Sequence, residues 1–359
     1  MHDAHARAAG LECPAMREDQ ASLAYVRRLC FDVLHRPPTP TELASLKGMD
    51  LARVARQIWR RREAMSEWLE EELWFHLLID RFRPRTPAIE ALPDRLAQGK
   101  ASARDATAEI LLSTGFSLRN PGNDTFVTVV LESCLGITVQ ERRAKAELEA
   151  GKLLYDGRSA RFLGETGNSQ ADIVRIVLDQ DAFRERLLDR HHQRLFRAPL
   201  ASRGEAERGA LLARLRDDEQ AFFAILAEWT QSPAYLAAVA VRRPRTHREL
   251  VRSLYFDVLE RAPDYDELRN MRNALQSMAD PAPLRAVFSK LLLDSKEAKL
   301  PALTGADPAE FVRGCFLRYL GREPSQAETA EFTAVLAEPG ANHALVVRAL
   351  LTSVEYGYC

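Results

Sequence analysis

An internal repeat is the strongest constraint on this chain. Val26-Arg27-Arg28-Leu29-Cys30-Phe31-Asp32-Val33-Leu34, with His35-Arg36-Pro37-Pro38 behind it, returns as Val251-Arg252-Ser253-Leu254-Tyr255-Phe256-Asp257-Val258-Leu259, with Glu260-Arg261-Ala262-Pro263 behind it. The apolar register comes back at Val312, Cys315, Phe316, Tyr319 and Leu320, before Gly321-Arg322-Glu323-Pro324. Spacing of this kind puts the apolar side chains on one face of a helix. Val127, Val130, Leu131, Cys134 and Leu135, before Gly136, repeat it, and Leu188, His191, His192, Leu195 and Phe196, before Arg197-Ala198-Pro199, form a degenerate version. About five copies result.

After each turn a second helix is announced by a capping box. In such a box a small polar N-cap accepts from the N3 amide, and a Glu at N3 reaches back to the N-cap amide. Thr39 with Glu42, Thr138 with Glu141, Ser202 with Glu205, Asp264 with Glu267 and Ser325 with Glu328 all fit. Thr246 with Glu249, and Asp307-Pro308-Ala309-Glu310 with proline at N1, mark first helices in the same way. A third apolar helix closes each unit, as in Leu350-Leu351-Thr352-Ser353-Val354-Glu355-Tyr356, with Ser113-Thr114-Gly115-Phe116 and Ser232-Pro233-Ala234-Tyr235 as related endings. Strand signals are almost absent. The expected fold is all-α, about five divergent three-helix units forming an array or one to two compact bundles.

The expected segments are a tail over 1–20, a first repeat with Trp- and Arg-rich helices over 21–118, and two degenerate repeats with polar loops over 119–240. Two cleaner repeats follow over 246–300 and 307–359. Val241-Arg242-Arg243-Pro244-Arg245 reads as a linker before the last two.

Phe311 to Tyr356, with its apolar helix, Leu-Gly-Arg-x-Pro turn, capped helix and terminal Ser-x-Glu-Tyr, resembles a bacterial helical-repeat domain of unknown function. That domain is related in style to phycobilisome linker domains. Arg28-Leu29-Cys30-Phe31-Asp32 through Arg36-Pro37-Pro38-Thr39-Pro40-Thr41-Glu42 is similar to a planctomycete domain found beside cytochrome c modules. The resemblance implies a fold more than a role. The chain lacks a CxxCH haem site, a Gly-Asp calcium repeat and a bilin attachment segment, so it implies neither pigment, haem nor calcium.

Fifty Lys and Arg against 51 Asp and Glu leave a net charge of -1, without the basic excess of a nucleic-acid binder. No apolar run is long enough to span a bilayer and the first residues lack a signal core, so the chain reads as soluble and cytoplasmic, without membrane insertion. The five cysteines are widely spaced, and Cys30, Cys134 and Cys315 fall on the apolar stripe as buried hydrophobes. His191-His192 cannot chelate one metal from adjacent helical positions and reads as a buried, hydrogen-bonded pair; His2 and His5 near Cys13 form no specific metal spacing. Asp32 with Arg36 and Asp257 with Arg261 are spaced for i,i+4 salt bridges. Gly151, Gly157, Gly164 and Gly167 fit no nucleotide loop, and Ser169 with Asp172 is a further capping box. No catalytic residue, metal or cofactor is called for.

Candidate partner contacts are Arg53, Arg56 and Arg60, which share a helix face, and the polar loop residues Asn120, Asn123, Asp124, Tyr155 and Asp156. The bland alternative for the first set is a solvated face paired with Glu63, Glu67, Glu70, Glu71 and Glu72, with Trp59, Trp68 and Trp74 as core or inter-unit packing. The leading functional reading is a non-enzymatic scaffold or linker docking onto a larger protein assembly, with self-association open. A ligand pocket around 116–172, and nucleic-acid contact through local Arg clusters such as 242–248, are the alternatives.

Overall fold

The computed structural model describes residues 21–78, 86–138, 142–301, 303 and 307–359. Among these residues the chain is all-α, with 20 α-helices and one small antiparallel hairpin, Ala160–Phe162 with Glu165–Gly167. No helix among them is long and apolar enough to cross a membrane. The 1–20 tail and Glu141, hence the Thr138–Glu141 box, lie outside the described residues.

The helices gather into two bodies, one of residues 56–232 and one in which residues 21–55 join 233–359. The second grouping departs from the segments read off the sequence, and its cause is a set of buried polar contacts. Arg27 donates to the carbonyls of Arg318 (2.6 Å) and Tyr319 (3.1 Å), and Asp32 accepts from Tyr235 Oη (2.8 Å) and Arg243 Nη2 (2.8 Å). Residues 241–245 are no linker: Arg243 and Cys359 exchange both backbone hydrogen bonds, and Arg245 N donates to Gly357 O.

All five first helices end alike. Helices Leu23–Leu34, Asp181–Phe196 and His247–Leu259 stop at His35, Arg197 and Glu260, and helices Gly122–Val130 and Pro308–Cys315 widen into π-turns that stop at Gly136 and Gly321; every one of these caps is left-handed (φ 52–74°). The reversal frees the chain to enter the second helix. Only glycine takes this conformation without steric cost. Arg197 is exposed, so Arg197→Gly is expected to stabilise the 56–232 body by about 1 kcal/mol, read as a higher urea midpoint of tryptophan fluorescence.

The second helices start on the predicted boxes at Thr39–Glu42, Asp264–Glu267 and Ser325–Glu328, and helix His247–Leu259 starts on Thr246–Glu249. Each box carries an arginine three residues before its cap, which the spacing analysis did not identify. Arg36, Arg243, Arg261 and Arg322 each grip the box glutamate with both terminal nitrogens at 2.6–2.9 Å. Each also donates to the carbonyl of the residue after it (3.0–3.2 Å). Such forked pairs fix the turn and charge the cap at once. Arg36 and Arg261 therefore reach forward to these glutamates and not back by one helical turn, while Asp32 and Asp257 take the buried hydroxyls of Tyr235 and Tyr356 (2.8 Å each).

Ser202 and Glu205 form no box. Ser202 sits in a 3-10 turn, Leu200–Arg203, and donates to Pro199 O, and Gly204 is the residue that precedes helix Glu205–Asp217. The hydroxyl has a carbonyl within reach one turn earlier, so local competition wins. Asp307 caps Ala309 N and not the N3 amide. Cys30, Cys134 and Cys315 are buried and unbridged, and burial pushes the Cys134 and Cys315 thiols up to about 12.

Candidate functional site

Two of the central glycines, Gly151 and Gly167, serve close packing, and Gly157 and Gly164 serve turns. A Cβ on Gly151 would stand 2.5 Å from Val127 Cγ1, so this glycine lets helix Arg142–Tyr155 close on helix Gly122–Val130. Leu163 and Gly164, both with positive φ, make the tight turn of the hairpin, which a Leu-Gly pair signals weakly in sequence. Ser169 accepts from Asp172 N, and the Asp172 carboxylate accepts from Asn168 N and Ser169 Oγ.

The polar loop residues gather at one corner. Asn123 Nδ2 donates to Asp156 Oδ2 (2.9 Å), Asp124 lies 3.4 Å from Lys152 Nζ, and the Tyr155 ring packs on Phe126. None of these four lines a hollow described below. Asn120 lines one, Arg56 and Arg60 line another, and Arg53 belongs to the other body. The arginines of 242–248 are largely consumed inside the fold: Arg242 pairs with Glu355 (2.6 Å), Arg243 with Asp32 and Glu249, and Arg245 is buried between the rings of Phe31 and Tyr356.

The first hollow, of about 460 Å³, lies in the 56–232 body. Its apolar wall is Trp59, Met65, Leu96 and Phe223. Trp59 is held rigidly, because its Nε1 donates to Thr230 Oγ1 (3.1 Å) and Thr230 in turn donates to the carbonyls of Leu226 and Ala227. Arg56 and Arg60, one turn apart on helix Leu51–Trp59 and its exit, stand exposed at the mouth. Neither guanidinium has a hydrogen-bond or ion-pair partner among the described residues. The acidic side chain in the wall, Glu228, is already neutralised by Arg214 through two bonds of 2.6 and 2.8 Å.

The second hollow, of about 630 Å³, is lined by Phe75, His76, Leu78, Arg119, Asn120 and the π-turn residues Glu132 and Ser133, with Arg186 across from them. Behind it lies a buried polar cluster. Glu72 Oε2 accepts from Arg190 Nη2 (2.9 Å), with His76 Nε2 at 3.6 Å and His191 Nε2 3.9 Å from Oε1. Burial alone would raise the Glu72 carboxyl, but the Arg190 guanidinium, above all, brings it down to about 2. Burial, followed by Arg194 and Arg190, pushes His191 down to about 3, so its ring is neutral. Trp68 Nε1 donates to His191 Nε2 (3.2 Å), which fixes the proton on Nδ1. His192 bonds to Ala198 O through Nδ1 (2.7 Å).

The sequence placed Glu72 on a solvated face and passed over His76, but Glu72 is buried, and a signal for both exists. On helix Arg62–Leu77 they continue the buried stripe of Met65, Trp68, Leu69 and Leu73, where ionisable residues are rare. No group of His, Cys, Asp and Glu among the described residues is arranged to hold a metal. No family model, curated protein or solved structure matches this chain.

Proposed function

We propose that this chain is a non-catalytic docking protein of a larger cytoplasmic assembly, whose 56–232 body seats an acidic segment of a partner protein. One observation carries the reading: among the described residues Arg56 and Arg60 stand without partners at the mouth of a hollow walled by Trp59, Met65 and Phe223, while Glu228 within it is neutralised by Arg214. An apolar anchor of the partner would fill the hollow and carboxylates beside it would pair with the two guanidiniums.

The test is a photo-crosslinking side chain placed at Gln231, on the wall of the hollow, followed by mass spectrometry of the crosslinked peptide from native cells. The expected product is an acidic segment of another protein, with at least a tenfold lower yield in Arg56→Glu/Arg60→Glu. A crosslink only to a second copy of this chain, to neutral or basic segments, or one unaffected by the charge reversal would contradict the reading.

A further inference from the structure

The second hollow has features that partner docking at the first does not use. His76 is buried, and neither ring nitrogen has a hydrogen-bond partner. Glu72 at 3.6 Å is beyond hydrogen-bonding range. A buried polar group left this way is costly, and in a wall it invites a ligand. Arg119 and Arg186 are exposed at the same hollow and have no hydrogen-bond or ion-pair partner among the described residues. The guanidinium of Arg186 lies over Gly136, where a Cβ would meet Nη1 at 2.3 Å, so the glycine that ends the π-turn also leaves room for it. The π-turn places Glu132 and Ser133 in the wall, and turns of this kind recur at functional sites. Leu78, next along the chain after the end of helix Arg62–Leu77, is held at φ 50°, a strained conformation beside the same wall.

We infer that this hollow binds a small organic oxyanion, a phosphate ester or a carboxylate, gripped by Arg119 and Arg186, with Asn120, Ser133 and His76 as further polar contacts and its body against Phe75 and Val129. Two guanidiniums against the single carboxylate of Glu132 leave a net positive wall, and the volume suits a metabolite-sized ligand. Arg190, stacked on Phe75 at 3.9 Å and bonded to Glu72, holds that wall in place.

The experiment titrates inorganic phosphate and, separately, acetate into the full chain and follows the imidazole resonances by NMR, with the His76 signal assigned by its loss in His76→Gln. The expected result is a saturable shift of the His76 signal with at least one probe, weakened at least tenfold in Arg119→Gln and in Arg186→Gln. Both arginines are exposed, so these variants should retain the wild-type melting temperature. Response to phosphate alone assigns a phosphorylated ligand and response to acetate alone a carboxylate. Arg56→Glu/Arg60→Glu leaves the shift unchanged, which separates this site from the docking hollow. No saturable shift with either probe, or a shift indifferent to both arginine substitutions, overturns the inference.

Discussion

Glu249→Ala is expected to destabilise the body of residues 21–55 and 233–359 by about 3–5 kcal/mol, the cost of removing one partner from a buried ion pair. Glu249 is 2% exposed. It takes both terminal nitrogens of Arg243 and the N-cap amide of Thr246, and Arg243 simultaneously binds Asp32 from the first repeat. Removing Glu249 leaves Arg243 buried with half its charge compensation, and opens the capping box of helix His247–Leu259. Glu267 and Glu328 occupy the same place in the same motif, yet their side chains are 28% and 31% exposed. Glu267→Ala and Glu328→Ala should therefore cost about 1 kcal/mol each, the worth of a solvated cap and ion pair. Urea denaturation followed by far-UV circular dichroism reads the difference. Tryptophan fluorescence reports the other body alone, because Trp59, Trp68, Trp74 and Trp229 all lie within 56–232. Equal costs for the three glutamates would show that burial does not set the strength of the clamp.

The second large effect is acid destabilisation of the 56–232 body. The folded-state pKa of His191, about 3, lies below its ordinary 6.5. The unfolded chain therefore binds the proton more readily, and the stability due to the neutral ring is complete above pH 6.5 and lost as the pH falls towards 3. By pH 4.5 the loss from this residue is about 2–3 kcal/mol. Glu72 acts lower: with its carboxyl at about 2 against 4.5, its contribution holds above pH 4.5 and is lost between 4.5 and 2. His191→Gln retains an acceptor for Trp68 Nε1 but cannot take up a proton. Its urea midpoint should slope distinctly less between pH 6.5 and 4.5 than that of the wild type, the remaining slope coming from His192, which burial also holds below the ordinary histidine value. Parallel slopes for the two proteins would remove His191 from the account.

What could be read from the sequence was what is local. A cap, the glutamate three residues on and the apolar period of the helix between them are all within one turn, so the boxes at Thr39, Thr246, Asp264 and Ser325 stand where their spacing put them. The clamping arginines were equally local, at a fixed three residues before each cap, but a charged residue beside a turn does not advertise its partner. Ser202 shows the limit of spacing alone, since a nearer carbonyl takes its hydroxyl. The grouping of residues 21–55 with 233–359 depends on Arg27 and Asp32 meeting groups some 200 or more residues away, and no periodicity encodes such a choice. Of the candidate contacts, Arg56, Arg60 and Asn120 line hollows, whereas Asn123 and Asp156 satisfy each other. His76 interrupts an apolar stripe, and so does Glu72, which the run of glutamates around it made look solvated; the pattern shows its meaning once their surroundings are known.

The most direct test of the docking claim is a charge swap at the first hollow. The crosslinked acidic segment is made as a synthetic peptide, with a second version carrying Lys in place of its carboxylates, and calorimetry measures each against wild type and Arg56→Glu/Arg60→Glu. Docking through these arginines predicts that the acidic peptide binds wild type, weakens with salt, and falls at least tenfold on the variant, while the lysine version binds the variant and not wild type. Binding of the acidic peptide that is unchanged by the reversal, or failure of the swapped pair to recover, would contradict it.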